Sequence, residues 1–256
     1  MTDFELRAHK AYAITEIENL MSRHTYYHAA DMNREEVTTL WSQKRADEVV
    51  WSQNFGRWIG MHKLLPMYAG DDKYEMAAIQ KQQILEIHPE YAEKLEEIDG
   101  RRLSEMPTHV LCSSVIEIAE DGMSAKGLWY TPGFALRADT GRDVQDVAWM
   151  WEKYGADFIY EDGEWKFLRL LICMDMSTGG DTGDWTKPRM PMGPPPEEKK
   201  EEKKEPLKGA SPAMGGKVSV EKDEPGRFTD YSATRLQVEM PRIPEPFKSL
   251  EETWSY

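Results

Sequence analysis

Twice in this chain a run of alternating apolar residues stops at Glu-Asp-Gly and then starts again. Glu120-Asp121-Gly122-Met123 separates His109–Ala119 from Ser124–Leu136, and Glu161-Asp162-Gly163 separates Trp149–Tyr160 from Glu164–Met174. Asp-Gly between alternating runs is a hairpin signal, because the tight turn needs φ > 0 and these residues tolerate it. Two long hairpins expose a wide apolar face that must be covered by another layer. That layer precedes them. Residues 4–31 place Ile14, Ile17, Leu20 and Met21 at helical spacing. Asn33 or Asp31 can cap a second helix, Arg34–Gln43, with an apolar face of Val37, Leu40 and Trp41. Residues 48–55 read as a strand, and Met61–Tyr68 as a short helix after Gly56 and Gly60. The fold class that follows is α+β: a curved antiparallel sheet packed on N-terminal helices.

Two stretches stand apart from this plan. Residues 72–98 are charged, free of Gly apart from their flanks, and broken only at Pro89, so they read as a helical insertion. From Ser177 the chain turns Gly- and Pro-rich, and residues 197–208 are low-complexity Glu and Lys. Apolar residues return in 227–256, among them Phe228, Tyr231, Met240, Phe247, Trp254 and Tyr256, with Pro241, Pro244 and Pro246. Too many of these are apolar for a solvated appendage, and the fixed φ of proline lowers the entropy lost on docking. The expected division is a domain at 1–176, a linker at 177–226 and an extended arm at 227–256. The arm is expected to lie on a groove of the domain or of an adjacent protomer and to help close a pocket.

A net charge of −14 excludes a nucleic-acid binder, since phosphate neutralisation needs clustered Lys and Arg. Cys112 and Cys173 lie in apolar runs and read as buried free thiols, which points to a cytoplasmic protein. No apolar run reaches the ~18 residues of a membrane span, and the acidic N-terminus lacks the order of a signal peptide. There is no phosphate loop, dinucleotide fingerprint, zinc spacing or serine elbow, so no cofactor is expected.

Three segments carry a resemblance. They are Arg23-His24-Thr25-Tyr26-Tyr27-His28-Ala29-Ala30-Asp31 with Leu40-Trp41, Val49-Val50-Trp51 running into Asn54-Phe55-Gly56-Arg57-Trp58-Ile59-Gly60-Met61, and Tyr160 through Arg169. In this order they resemble the nuclear transport factor 2-like superfamily, and within it the SnoaL-like branch, over residues 10–175. The resemblance implies a cone-shaped fold around one deep apolar pocket, and commonly a homo-oligomer, dimer or trimer. In the dehydratases it resembles, a Tyr and an Asp on the first helix face a His on the first long strand, and bile-acid dehydratases add an Arg on the last strand. Here those positions are Tyr26 or Tyr27, Asp31, His109 and Arg169. The spacing to Asp31 favours Tyr26, whereas the helical wheel favours Tyr27. A second resemblance reaches the tail: members that cleave lignin-derived diarylpropanes and release formaldehyde without a cofactor share the cone and a Pro-rich arm.

The residue types suit acid–base work. A carboxylate beside an imidazole fixes its tautomer and raises its basicity, so Asp31 with His109 could remove a proton and return it to a leaving hydroxyl. His24, His28 and Asp31 also stand at a spacing that could hold a metal from one helix face, though a second half of such a motif is not evident; they read better as polar lining. Arg169 is either paired with a carboxylate or aimed at a substrate oxygen. Trp51, Trp58, Trp129, Tyr130 and Tyr154 favour a flat apolar or aromatic small-molecule ligand held by stacking. The expected function is a cofactor-independent lyase on a hydrophobic hydroxylated ring compound, with a steroid-type dehydratase or isomerase, or a non-catalytic binding module, as rivals.

Overall fold

The computed structural model describes residues 2–70, 72–96, 105–138, 145–179, 220–228 and 240–256. Three helices open it: α1 (Asp3–Ala29), α2 (Asn33–Leu40) and, after the hairpin β1 (Val50–Gln53) and β2 (Gly56–Ile59), α3 (Met61–Ala69). The insertion is helical as expected, α4 (Asp72–Ile87) and α5 (Ala92–Glu96), interrupted at Pro89; its residues 97–98 lie outside the described residues. Five strands follow: β3 (Glu105–His109), β4 (Cys112–Ile118), β5 (Ser124–Ala138), β6 (Gln145–Glu161) and β7 (Glu164–Gly179).

The strands form one sheet in the order β2-β1-β7-β6-β5-β3, with β4 also on β5. Every pairing is antiparallel except β1 with β7, which is parallel. The sheet is therefore mixed, where the hairpin signals alone indicated an antiparallel one. The run read as a single strand over 109–119 is two strands along the same edge of β5, divided at Val110-Leu111 and bulged near Cys112. The 161–164 turn has the expected left-handed pair, Asp162 at φ 54° and Gly163 at φ 87°.

Helix α1 lies on the inner face of this sheet. Its N-terminus carries a reciprocal Thr2–Glu5 capping box, and its buried stripe is Ala13, Ile17, Leu20, Met21 and His24. Ile14, expected in that stripe, is exposed, and Ala13 takes its place. The stripe thus begins apolar and ends on imidazole. Trp129, Phe158, Trp165 and Phe167 belong to the one core cluster between the helices and the sheet, with Phe158 packed on both Trp129 and Phe167.

A bulge decides which residues face which side. Phe158 pairs with Phe167 but Asp157 pairs with Arg169, so Leu168 is the extra residue of β7. On one side of it Trp165 and Phe167 point inward; beyond it Leu170 and Ile172 do so, while Leu171 and Cys173 turn to the outer face.

The outer face is covered by the chain's own arm. Phe228, Tyr256, Met240 and Trp254 pack on Leu171 and Cys173. Residues 220–226 bind the β1–β2 hairpin: Arg57 N–H donates to the Glu224 carbonyl, Trp58 Nε1 donates to the Val220 carbonyl, and the Arg57 guanidinium pairs with the Glu224 carboxylate. Apart from a short 3₁₀ turn at Leu250–Glu252, residues 240–256 form neither helix nor strand. The parts of the linker and arm at 180–219 and 229–239 lie outside the described residues. Beneath the arm, Lys126 and Asp157 are fully buried, with Nζ 2.6 Å from Oδ1. Asp157 Oδ2 also accepts from Arg169 and from the Tyr256 backbone N–H, each at 3.2 Å. The ammonium lies 4.4 Å from the centroid of the Trp254 ring. Burial holds Lys126 below the ordinary ammonium range, and Asp157 counters only part of the shift.

Candidate active site

Polar groups from five elements gather inside the domain: His24 and His28 from α1, Glu36 from α2, Tyr68 from α3, His109 from β3, and Glu152 and Tyr154 from β6. Each faces inward for a local reason. His24 continues the buried stripe of α1, and His28 is one turn further on the same face. Glu36 precedes Val37 and sits four residues before Leu40 on the buried side of α2. Tyr68 follows Leu64 by four on α3. On β6, Glu152 and Tyr154 share their face with Met150, Ala156 and Phe158.

Glu36 is the hub. It is fully buried, and its Oε1 lies 2.8 Å from His24 Nδ1 and 3.4 Å from Trp41 Nε1, while Oε2 accepts from the Tyr68 hydroxyl at 2.9 Å. The same hydroxyl is 3.1 Å from His28 Nδ1. The His24 ring packs edge-on against Tyr154 and Phe167, and Trp51 packs on Tyr68 with ring centroids 4.2 Å apart.

His109 forms the facing group. Its ring centroid is 5.4 Å from that of His28 and 5.8 Å from that of Tyr154. Its Nδ1 is 3.1 Å from Glu152 Oε2, both side chains being buried. The two atoms are at charge-contact distance, but their alignment is not that of a hydrogen bond. Thr131 Oγ1, on the strand position paired with Glu152, is also buried without a hydrogen-bond partner. Gly133 makes room for His109: a Cβ there would stand 2.3 Å from the Thr108 carbonyl oxygen and 3.0 Å from His109 Nδ1. Burial, then the neighbouring Glu152 carboxylate and its hydrogen bond, push the Tyr154 phenol well above its ordinary range. Tyr154 is therefore a donor here.

The sequence-derived candidates divide three ways. His24, His28, His109, Trp51 and Tyr154 come together, and Tyr27 packs on the core beside them. Tyr26 is 77% exposed, which resolves the choice between the two tyrosines in favour of Tyr27 as the inward one. Trp58 and Trp129 are core residues packed on Phe55 and Phe158, and Tyr130 is 42% exposed on the outer face. Arg169 is not in the site. The Leu168 bulge reverses the alternation that grouped it with Trp165 and Phe167, and it pairs with Asp157 on the far side of the sheet. Asp31 is half-buried on the turn after α1, in the left-handed region at φ 56°, and Glu152 places a carboxylate at the His109 ring. Cys173 is buried as expected; Cys112, expected to be buried, is exposed, because it begins β4 at the sheet edge.

Glu36, Tyr68 and Glu152 were not singled out from the sequence. Glu36 resembles an ordinary first-turn acid, favourable to the helix dipole. Strict alternation from Phe158 back through Tyr154 would have put Glu152 inside, but Trp149 and Trp151 on the other phase hide that pattern. Among the described residues, no group of three or more His, Cys, Asp or Glu is placed to hold a metal ion. No described helix is long and apolar enough to cross a membrane.

No protein-family model matches the chain, and no curated protein does. Solved structures do align with it. A hexachlorocyclohexane dehydrochlorinase from Novosphingobium barchaimii is 13% identical, with 68% of this chain and 93% of that one covered and a TM-score of 0.43. A nuclear transport factor 2-like protein with a cystatin-like fold from Novosphingobium aromaticivorans is 11% identical, covering 68% and 89%, with a TM-score of 0.43. Aln2 from a Streptomyces species is 11% identical, covering 64% and 91%, with a TM-score of 0.40.

Proposed function

We propose that this chain is a cofactor-independent lyase acting on a hydrophobic, hydroxylated aromatic or polycyclic compound. The observation that carries the reading is the facing pair of imidazoles, His28 and His109, 5.4 Å apart between ring centroids and each supported by a buried acidic residue, His109 by Glu152 and His28 through Tyr68 by Glu36. One imidazole can take a proton while the other protonates a departing hydroxyl. In a dehydration the C–H electrons form the double bond and water leaves. In the linked cleavage of a diarylpropane, proton removal from a terminal CH₂OH releases formaldehyde. The electrons of the broken C–C bond then form the alkene, and a hydroxide departs as water. The aromatic walls, Trp51, Tyr27 and Tyr154, suit a flat ring. Asp31 stays in the proposal as the alternative carboxylate for His109, three residues after His28.

Incubation with a panel of phenolic dimers and hydroxysteroids, with mass spectrometry of products, tests the reading. His109→Ala should cut turnover on the order of 10²–10⁴-fold with the fold intact by circular dichroism. Comparing Glu152→Gln with Asp31→Asn shows which carboxylate serves His109. Full activity in His109→Ala would sink the mechanism.

A further inference from the structure

Strand β6 has the candidate site on one face and the arm on the other. From Glu152 to Asp157 its register with β7 is unbroken, running from Glu152 against Met174 to Asp157 against Arg169. At either end β7 holds one extra residue, Asp175 next to the first pair and Leu168 next to the last. Bulges of this kind break the ladder, sharpen the local twist and re-aim neighbouring side chains. On its β7 side the 152–157 block is thus cut from the ladder at both ends, and its tilt depends on what packs against it.

The arm packs on every outward residue of that block. Lys153 Nζ donates to the Met240 carbonyl at 3.2 Å, and Asp157 Oδ2 accepts from the Tyr256 backbone N–H at 3.2 Å. Between them the Tyr256 ring lies so close to Gly155 that a Cβ there would meet it at 2.5 Å. The residues that alternate with these, Glu152, Tyr154 and Ala156, are buried on the inner face. We infer that Tyr256 is a positioning residue for the candidate site: its ring, seated on Gly155, fixes the tilt of the 152–157 block and with it the approach of Glu152 and Tyr154 to His109. The coupling rests on the proposed lyase reading only for what the site does. The path is short. One peptide bond joins Gly155 to Tyr154, whose ring is 5.8 Å from that of His109, and Glu152 Oε2 is 3.1 Å from His109 Nδ1. That contact already lies outside hydrogen-bond alignment, so a small change of tilt makes or breaks it.

Full-length protein with ¹³C-labelled histidine rings gives signals for six histidines by carbon–proton correlation, and His109→Gln assigns the one of interest. Tyr256→Ala should move the His109 signal and leave that of His88, beyond α4 in the insertion, in place. It should also lower amide-exchange protection across 152–157 at least about ten-fold. Gly155→Ala, which displaces the ring without removing it, should move the same signal, and Tyr256→Phe should keep it near the parent position. Leu250→Ala truncates a buried arm residue that joins the main core cluster, not the one around Tyr256. It should lower the melting temperature and leave His109 unmoved. A His109 signal unmoved in both Tyr256→Ala and Gly155→Ala overturns the inference. Equal movement in Leu250→Ala does so too, since that is general loosening. Under the lyase reading, Tyr256→Ala should also lower kcat about ten- to hundred-fold with KM nearly unchanged, the usual result of a misplaced catalytic group. If His109 moves as expected but the parent turns over no hydroxylated ring compound, the lyase reading fails and the positioning role stands. If the parent is active and Tyr256→Ala matches it with His109 unmoved, the positioning role fails alone.

Discussion

Replacing Gly155 by Ala should reveal how firmly the arm is held. Gly155 is on β6 facing outward, and a Cβ there would stand 2.5 Å from Cδ1 and Cε1 of Tyr256. A flexible side chain could step aside at little cost, but this ring is tethered at both ends. Its backbone N–H donates to Asp157 Oδ2 at 3.2 Å, and its hydroxyl donates to the Arg242 carbonyl at 2.8 Å. Overpacking of this kind costs about 1–3 kcal/mol, and a kilocalorie is worth roughly 2–4 °C of melting temperature in a domain of this size. Gly155→Ala should therefore melt roughly 2–12 °C lower. Tyr256→Ala alone removes a buried ring and should cost about 3–5 kcal/mol by analogy with other aromatic truncations. In the Tyr256→Ala background the three atoms nearest the added methyl are gone, so most of its penalty should vanish, giving a coupling of about 1–3 kcal/mol in a double-mutant cycle. Differential scanning calorimetry on the four proteins measures it. Additive effects, with Gly155→Ala equally costly in both backgrounds, would refute the placement of the arm on its own sheet.

Asp157→Asn leaves Lys126 buried without its counter-charge and should destabilise by about 3–5 kcal/mol, read by urea unfolding. Tyr154 and Tyr256 both have phenols raised above the ordinary value, by burial first and by Glu152 or Asp157 next. A raised folded-state pKa adds stability that is complete below about pH 10 and is lost as pH climbs beyond it. At least two of the eleven tyrosines should thus resist ionisation at 295 nm until the protein unfolds in alkali. Gly133→Ala should displace His109 and, under the proposed reading, lower turnover more than it lowers the melting temperature. The homo-oligomer expected from the sequence is tested by sedimentation, with Trp151→Glu on the exposed outer strip lowering the mass if that strip is the contact.

The hairpins, the helical layer and the docking of an apolar arm were legible because each rests on local pattern: turn chemistry, period and hydrophobic content. The site was legible only where a residue continued such a pattern, as His24 continues the stripe of α1. Arg169 was misplaced because a one-residue bulge at Leu168 leaves no mark in an alternation count but turns every later side chain over. Glu152 was hidden for the opposite reason, since Trp149 and Trp151 make the outward phase of β6 look like the inward one. Glu36 belongs to a third kind. Its neighbours in space come from α1, α3 and the Trp41 position, and nothing in its own helix announces that His24, Trp41 and Tyr68 converge on it.

The covering of the sheet by residues 220–228 and 240–256 also sets an order of events during synthesis. Strand β7 is complete at Gly179, and 77 further residues must be translated before Tyr256 exists. At 5–20 residues per second this is an interval of roughly 4–15 s. Throughout it the nascent cone presents Lys126, Asp157, Leu171 and Cys173 on a bare sheet face, the kind of surface that chaperones hold and proteases recognise. A ribosome that stops early therefore leaves a product marked for removal by the same face that, in the finished chain, is sealed.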